Sequence, residues 1–247
     1  MTDSIVTMTH IIVAARGVEK SFGAVKALRG VDLTLREGER LGIIGPNGSG
    51  KTTLIDCIAG VLGPDRGEIR LAGRDVTRLP PHRRARLGLA RTFQIPQPFK
   101  GMTVLENLLV PLDYSGGPDR LGQALAVLRS VGLDRRRDDP AEALSQLELR
   151  KLELARALAG SPRVLIADEA MAGLSEAEID EVLKILFRLN ESGIAIIMIE
   201  HIMHAVMRFS ERIQCLETGR VIAEGTPAAV AADPVVQRVY FGEQARR

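Results

Sequence analysis

A strand, a glycine-rich turn and a helix in immediate succession leave a chain few folds to choose from, and residues 41–59 carry that succession. The apolar run 41–44 reads as a buried strand, and 54–59 reads as helix. Between them, Gly45-Pro46-Asn47-Gly48-Ser49-Gly50-Lys51-Thr52 fits the pattern G-x-x-x-x-G-K-[ST], with Thr53 following. Glycines at this spacing let successive backbone N–H groups turn inward around a phosphate, and the helix adds the positive end of its dipole. Lys51 then reaches the β- and γ-phosphates, and the Thr52 hydroxyl binds Mg²⁺. The four fixed positions arise by chance in such a chain on the order of once in a hundred. An ordinary glycine-rich turn is the competing reading, but the strand before and the helix after favour a bound nucleotide.

Composition sets the outer limits. The 247 residues are 45% hydrophobic and 26% charged, which fits one folded α/β domain and excludes wholesale disorder. Lys and Arg number 33 against 31 Asp and Glu, a net charge of +2. That balance argues against a chain whose main work is gripping nucleic acid. No run approaches the roughly 18 apolar residues of a membrane span, and no basic-then-apolar segment opens the chain. A cytoplasmic protein is expected. Cys57 and Cys215 supply neither a disulfide framework nor metal-ligand spacing, and read as small core residues.

Short β-type runs come first, over 10–15 and 31–35, and again at 70–72. From about residue 80 the texture changes, with Pro80, Pro81, Pro96, Pro98 and Pro111 breaking up the segment. Helical patterns follow over 104–110, 121–131 and 145–159. A strand over 164–167, a helix over 176–189 and a strand over 194–199 then alternate. Ser175 with Glu178 makes a capping box, and Ile179, Val182, Leu183 and Leu186 share one helix face. Buried strands alternating with such helices predict a mostly parallel sheet covered on both faces. Thr226-Pro227 and Asp233-Pro234 are helix-start signals, so the tail reads as two short helices.

Val164-Leu165-Ile166-Ala167-Asp168-Glu169 is an apolar strand ending in adjacent carboxylates. Downstream of a phosphate loop, Asp168 suits the Mg²⁺ shell, while Glu169 points elsewhere and polarises an attacking water. A polar strand end without chemistry is the alternative. His201 follows another apolar strand, in IIMIEHIM. Alone it reads as a surface histidine; in an ATPase it hydrogen-bonds the γ-phosphate and holds the water in line.

Together these pieces resemble the ATPase subunits of ABC transporters, from about residue 12 to 242. The phosphate loop and the VLIADE strand look like that family's Walker A and Walker B segments. Gln94, in LARTFQ, matches the glutamine that senses Mg²⁺ and the transmembrane partner. Phe22, in EKSFG, matches the aromatic that stacks on adenine, a core phenylalanine being its alternative. Ala172-Gly173-Leu174-Ser175 matches the D-loop and His201 the switch histidine. The resemblance implies an α/β P-loop core with a mixed sheet, an N-terminal antiparallel β part and an inserted helical subdomain. It implies one domain over 1–247, its core about 10–92 and 160–225, its helical insert about 93–159 and C-terminal helices about 226–247. ATP and Mg²⁺ are the implied cofactors.

Finer resemblance points to one branch. LARTFQ with MTVLENLLV, IEHIMHAVM and the ending GTPAAVAADPVVQRVYFGE look like the ATPases of branched-chain amino-acid importers. That branch implies a second ATPase chain, in a hetero- or homodimer, transmembrane permease subunits, and an extracytoplasmic binding protein delivering substrate. It places the chain peripherally on the inner face of the cell membrane.

Two positions depart from the family pattern. Where L-S-G-G-Q is usual, this chain has Leu144-Ser145-Gln146-Leu147-Glu148, and Ala170 stands where many members have proline. Ser145 survives to face the partner's ATP, but Leu147 replaces a glycine and Glu148 brings negative charge near an anion. The expectation is a heterodimer whose site completed by this segment turns over poorly; alternatively, Glu148 turns away to cap its helix. The basic clusters at 82–86 and 135–137 lack interleaved aromatics and read as solvated surface. A soluble ABC-type ATPase acting on nucleic acid or ribosomes, a P-loop kinase and a lipid-exporter ATPase are the competing functions.

Overall fold

β1 (Ile11–Phe22) and β2 (Val25–Arg36) form a long antiparallel hairpin in the computed structural model, which describes residues 10–93, 95–115 and 118–241. β3 (Arg40–Ile44) then leads through the glycine-rich turn into α1 (Lys51–Ala59). β4 (Arg66–Leu71) and the short β5 (Arg74–Asp75) precede α2 (Pro81–Arg86) and β6 (Leu89–Arg91). Three helices follow: α3 (Val104–Ser115), α4 (Arg120–Val131) and α5 (Gln146–Leu158). Strand and helix alternate again in β7 (Val164–Asp168), α6 (Glu176–Glu191), β8 (Ala195–Ile199) and α7 (Met203–Phe209). The hairpin β9 (Arg212–Glu217) and β10 (Arg220–Gly225) and two helices, α8 (Pro227–Ala232) and α9 (Pro234–Phe241), complete the order.

The described strands form two sheets. One is antiparallel, in the order β2-β1-β4-β5. The other runs β10-β9-β3-β8-β7-β6, parallel throughout except for β10. β7 and β8 are buried along their whole length, which is why they read as unbroken apolar runs. Alternation splits their residues between two cores. Leu41, Ile43, Ile166 and Ile197 join α1 and the antiparallel sheet; Ile44, Leu165, Ile196 and Met198 join α5, α6 and α7. Gly42 lets α7 approach closely, since a Cβ there would lie 2.7 Å from Val206 Cγ1. The C-terminal ends of β3, β7 and β8 therefore meet on one edge, where open α/β sheets bind their ligands.

Several elements differ in extent from the sequence reading. β1 continues to Phe22, because Gly17 takes φ 56° at a register shift that lets the strand bend and go on. α3 runs through Pro111, which forgoes one backbone donor without ending the helix. The cluster at 82–86 is only partly a solvated surface. Arg84 is 1% exposed, and its guanidinium donates to the carbonyls of Cys57, Ile58, Thr77 and Leu79 at 2.7–3.1 Å.

Candidate nucleotide site

Gly45 closes β3 and opens the loop. Its φ of 152° has no room for a side chain, since a Cβ would meet the Leu216 carbonyl oxygen at 2.2 Å and Ser49 Oγ at 2.6 Å. Gly50, at φ 105°, backs onto the start of β2 in the same way: a Cβ would lie 2.7 Å from the Ala27 carbonyl oxygen. The loop is further tied by Ser49 N–H to the Pro46 carbonyl at 3.1 Å and Gly219 N–H to the Ser49 carbonyl at 2.9 Å. Lys51, buried, donates from Nζ to the carbonyls of Gly45 at 2.6 Å and Pro46 at 3.0 Å. Burial lowers its pKa, against the opposing pull of Glu169 and Asp168. Ser49 Oγ is buried with no hydrogen-bond partner. An orphaned hydroxyl and a buried ammonium at a helix start fit a polyphosphate, and Thr52 opens outward on the first turn of α1. Gly48, at φ 76°, with Pro46, Asn47 and Thr53, completes the loop.

Asp168 ends β7. Its backbone N–H donates to Thr92 Oγ1 at 3.1 Å, and its carboxylate accepts from Arg91 at 2.7 Å. Arg91 also pairs with Asp56 of α1 at 2.5 Å, so one guanidinium fixes the helix after the loop against the strand that carries Asp168. Burial raises the Asp168 pKa, and Arg91 pulls it back. A carboxylate and a hydroxyl are the hard oxygen donors that Mg²⁺ takes, with phosphate oxygens and waters completing its shell. Gln94, the third ligand expected from sequence, lies outside the described residues.

Glu169 has a left-handed backbone, φ 47°, uncommon for a non-glycine residue. Its N–H donates to the Ile199 carbonyl at 2.9 Å, anchoring the turn to the end of β8. There His201 Nε2 lies 3.1 Å from Glu169 Oε1. The two residues expected to handle the attacking water are thus brought together. Beside them Glu200, 3% exposed, accepts from the Met171 N–H at 2.9 Å, and burial pushes its carboxyl up to about 7. Phe22 is 49% exposed at the end of the β1–β2 hairpin, paired with Val25 two residues from Ala27. It is not a core phenylalanine, and Lys20 Nζ stands 5.8 Å over its half-exposed ring.

Ser145 begins α5. Its N–H donates to Glu148 Oε2 at 2.8 Å, its Oγ accepts from the Glu148 N–H at 3.3 Å, and Arg136 stands 3.5 Å from Glu148 Oε1. The carboxylate therefore turns to its own cap, the alternative to charge repulsion. Leu147 packs on the larger apolar core. Arg150 donates to the Ala172 carbonyl at 3.0 Å, linking this helix to the turn after Glu169. Arg91, Thr92 and Glu200 are site residues that sequence reasoning missed. Their signal was faint: charged or polar residues placed at the ends of short apolar strands.

A phosphate loop at the end of one parallel strand, a carboxylate pair at the end of another and a histidine at the end of the strand between them define a P-loop nucleoside triphosphatase. The ABC transporter family pattern matches residues 28–172, and the chain belongs to that family as an ATP-hydrolysing subunit. A second pattern, described as branched-chain amino acid ATP-binding cassette transporter, matches residues 220–246. The probable branched-chain amino acid transport ATP-binding protein LivG of Archaeoglobus fulgidus is 36% identical, covering 94% of this chain and 96% of that one. The lipopolysaccharide export system ATP-binding protein LptB of Acidithiobacillus ferridurans is also 36% identical, over 94% and 98%. Among solved structures, the ADP conformation of MJ1267, an ATP-binding cassette of an ABC transporter, superposes with a TM-score of 0.88. It is 33% identical and covers 95% of this chain and 100% of that one. ATPases of this family work in pairs on membrane permease subunits. Among the described residues, no helix is long and apolar enough to cross a membrane.

Proposed function

We propose that this chain drives an importer of branched-chain or related amino acids. The match at residues 220–246 carries the reading, because overall identity to an import and to an export relative is the same. In this reading the chain sits on the inner face of the membrane with a second ATPase chain, under permease subunits fed by an extracytoplasmic binding protein. A groove of about 690 Å³ supports the permease contact: it is lined by Val61, Phe93, Phe99, Val110, Tyr114 and Pro162. Phe93 and Tyr114 are 58% and 71% exposed there, an apolar face suited to a helix of the permease. Arg91 reaches from this groove to Asp168, which gives the docked partner a short route to the nucleotide.

Within the site, the phosphate loop and Lys51 hold the polyphosphate, and Phe22 stacks on the base. Thr52 and Asp168, with Gln94, would hold Mg²⁺, which would supply neutralisation of phosphate charge. Glu169 accepts the proton of the attacking water, and His201 fixes the Glu169 carboxylate for that role. Ser145 serves the partner's nucleotide. The experiment is reconstitution with the native permease subunits in liposomes. Hydrolysis should rise when a binding protein loaded with leucine, isoleucine or valine is supplied. Stimulation by lipopolysaccharide instead, or co-purification with a lipid-export permease, would replace this reading with the export one.

A further inference from the structure

Gly45 is the first residue beyond the ladder of β3, and both of its backbone groups are held by side chains. Its carbonyl accepts from Lys51 Nζ at 2.6 Å, and its N–H donates to the hydroxyl of Tyr240 in α9. Tyr240 comes from the far end of the chain, 195 residues later. Gly45 is wedged so tightly against β9 that it can carry no side chain of its own. The Tyr240 ring packs on the apolar core that holds Ile44 and Cys215, and Val236, one turn earlier on α9, is buried in the same core. This burial, with Cys215 beside it, pushes the phenol upward, so the hydroxyl stays protonated while it accepts from Gly45.

We infer that Tyr240 is a positioning residue for the nucleotide, tying the docking of α9 to the geometry of the phosphate loop. The inference rests on the nucleotide reading of that loop. Here Lys51 Nζ serves the Gly45 and Pro46 carbonyls, and a bound phosphate would compete with them for the ammonium. When it turns to phosphate, Tyr240 remains as the side-chain tie that keeps the loop's first residue in register. The tie therefore matters more with nucleotide bound than without, which is the condition for it to raise affinity. By reciprocity, nucleotide should tighten the seat of α9 on the core. The C-terminal segment then acts as a strap across the back of the phosphate loop.

The test uses the full chain, with ATP binding followed by calorimetry and backbone hydrogen exchange followed over residues 234–241. Tyr240→Phe keeps the ring and removes the acceptor. It should raise the dissociation constant for ATP about three- to tenfold, the loss of one hydrogen bond. Wild type should gain exchange protection in α9 when ATP is added, and the variant should gain much less. Unchanged affinity overturns the inference, whether or not the melting temperature falls, as does an α9 indifferent to ATP in wild type. Lys51→Ala separates the two levels. If it too binds ATP like wild type, the nucleotide reading has failed; if it loses ATP while Tyr240→Phe keeps it, only the tie has failed.

Discussion

Glu169 is held in a backbone conformation that costs a non-glycine residue about 1–3 kcal/mol, and the bond from its N–H to Ile199 keeps it there. The turn brings its carboxylate to His201 while that of Asp168 is held by Arg91, so the two adjacent acids meet different partners. The divergence is expected from sequence, but not the left-handed turn behind it, which depends on a bond to a strand 30 residues later. Glu169→Gln should keep ATP binding and lower hydrolysis about 10²–10⁴-fold, because the amide holds the shape but accepts no proton. Steady-state turnover beside a binding isotherm reads both. Near-wild-type turnover would move the proton acceptor elsewhere.

At the scale of elements, α1 depends on both of its ends. Its start faces the phosphate loop, and its last carbonyls are capped by Arg84, whose guanidinium reaches them from α2. Arg84→Ala should leave buried carbonyls unpaired and cost about 2–4 kcal/mol of stability. On the usual scale for a chain of this size, that lowers the melting temperature on the order of 10 °C. Calorimetry would register it, and a shift of under a degree would show that water replaces the guanidinium. Little of this was legible in sequence. The run His82-Arg83-Arg84-Ala85-Arg86 looks like solvated charge until the fold brings Cys57 and Ile58 beneath it. The phosphate loop, β7 and α6 were legible because each carries its signal locally: glycine spacing, an apolar run, a capping pair with a helical stripe. Arg91, Glu200 and Tyr240 act through partners far along the chain, and local pattern marks the first two only faintly and Tyr240 not at all.

At the scale of the whole assembly, the altered segment at the start of α5 bears on whether the two ATP sites are alike. The N–H groups of Ser145 and Glu148 are taken within the cap, and Leu147 stands where the family pattern has glycine. With the Glu148 carboxylate turned to the cap and Arg136 3.5 Å from it, the charge penalty expected from sequence is eased, and the branched side chain of Leu147 in place of glycine remains as the ground for asymmetry. We therefore propose a heterodimer in which a second chain with an intact signature completes the site of Lys51 and Glu169. In the assembled complex, Glu169→Gln should abolish nearly all hydrolysis, while the matching change in the partner should spare most of it. Equal losses would sink the asymmetry. The cap has a consequence for how such a chain changes over time. A helix that closes its own first turn keeps its shape whatever faces it across the dimer, so in the proposed heterodimer the loss of half of one ATP site would carry no folding penalty. Selection on stability would be blind to such a loss, and only a partner chain that goes on supplying the working half would be held in place by it.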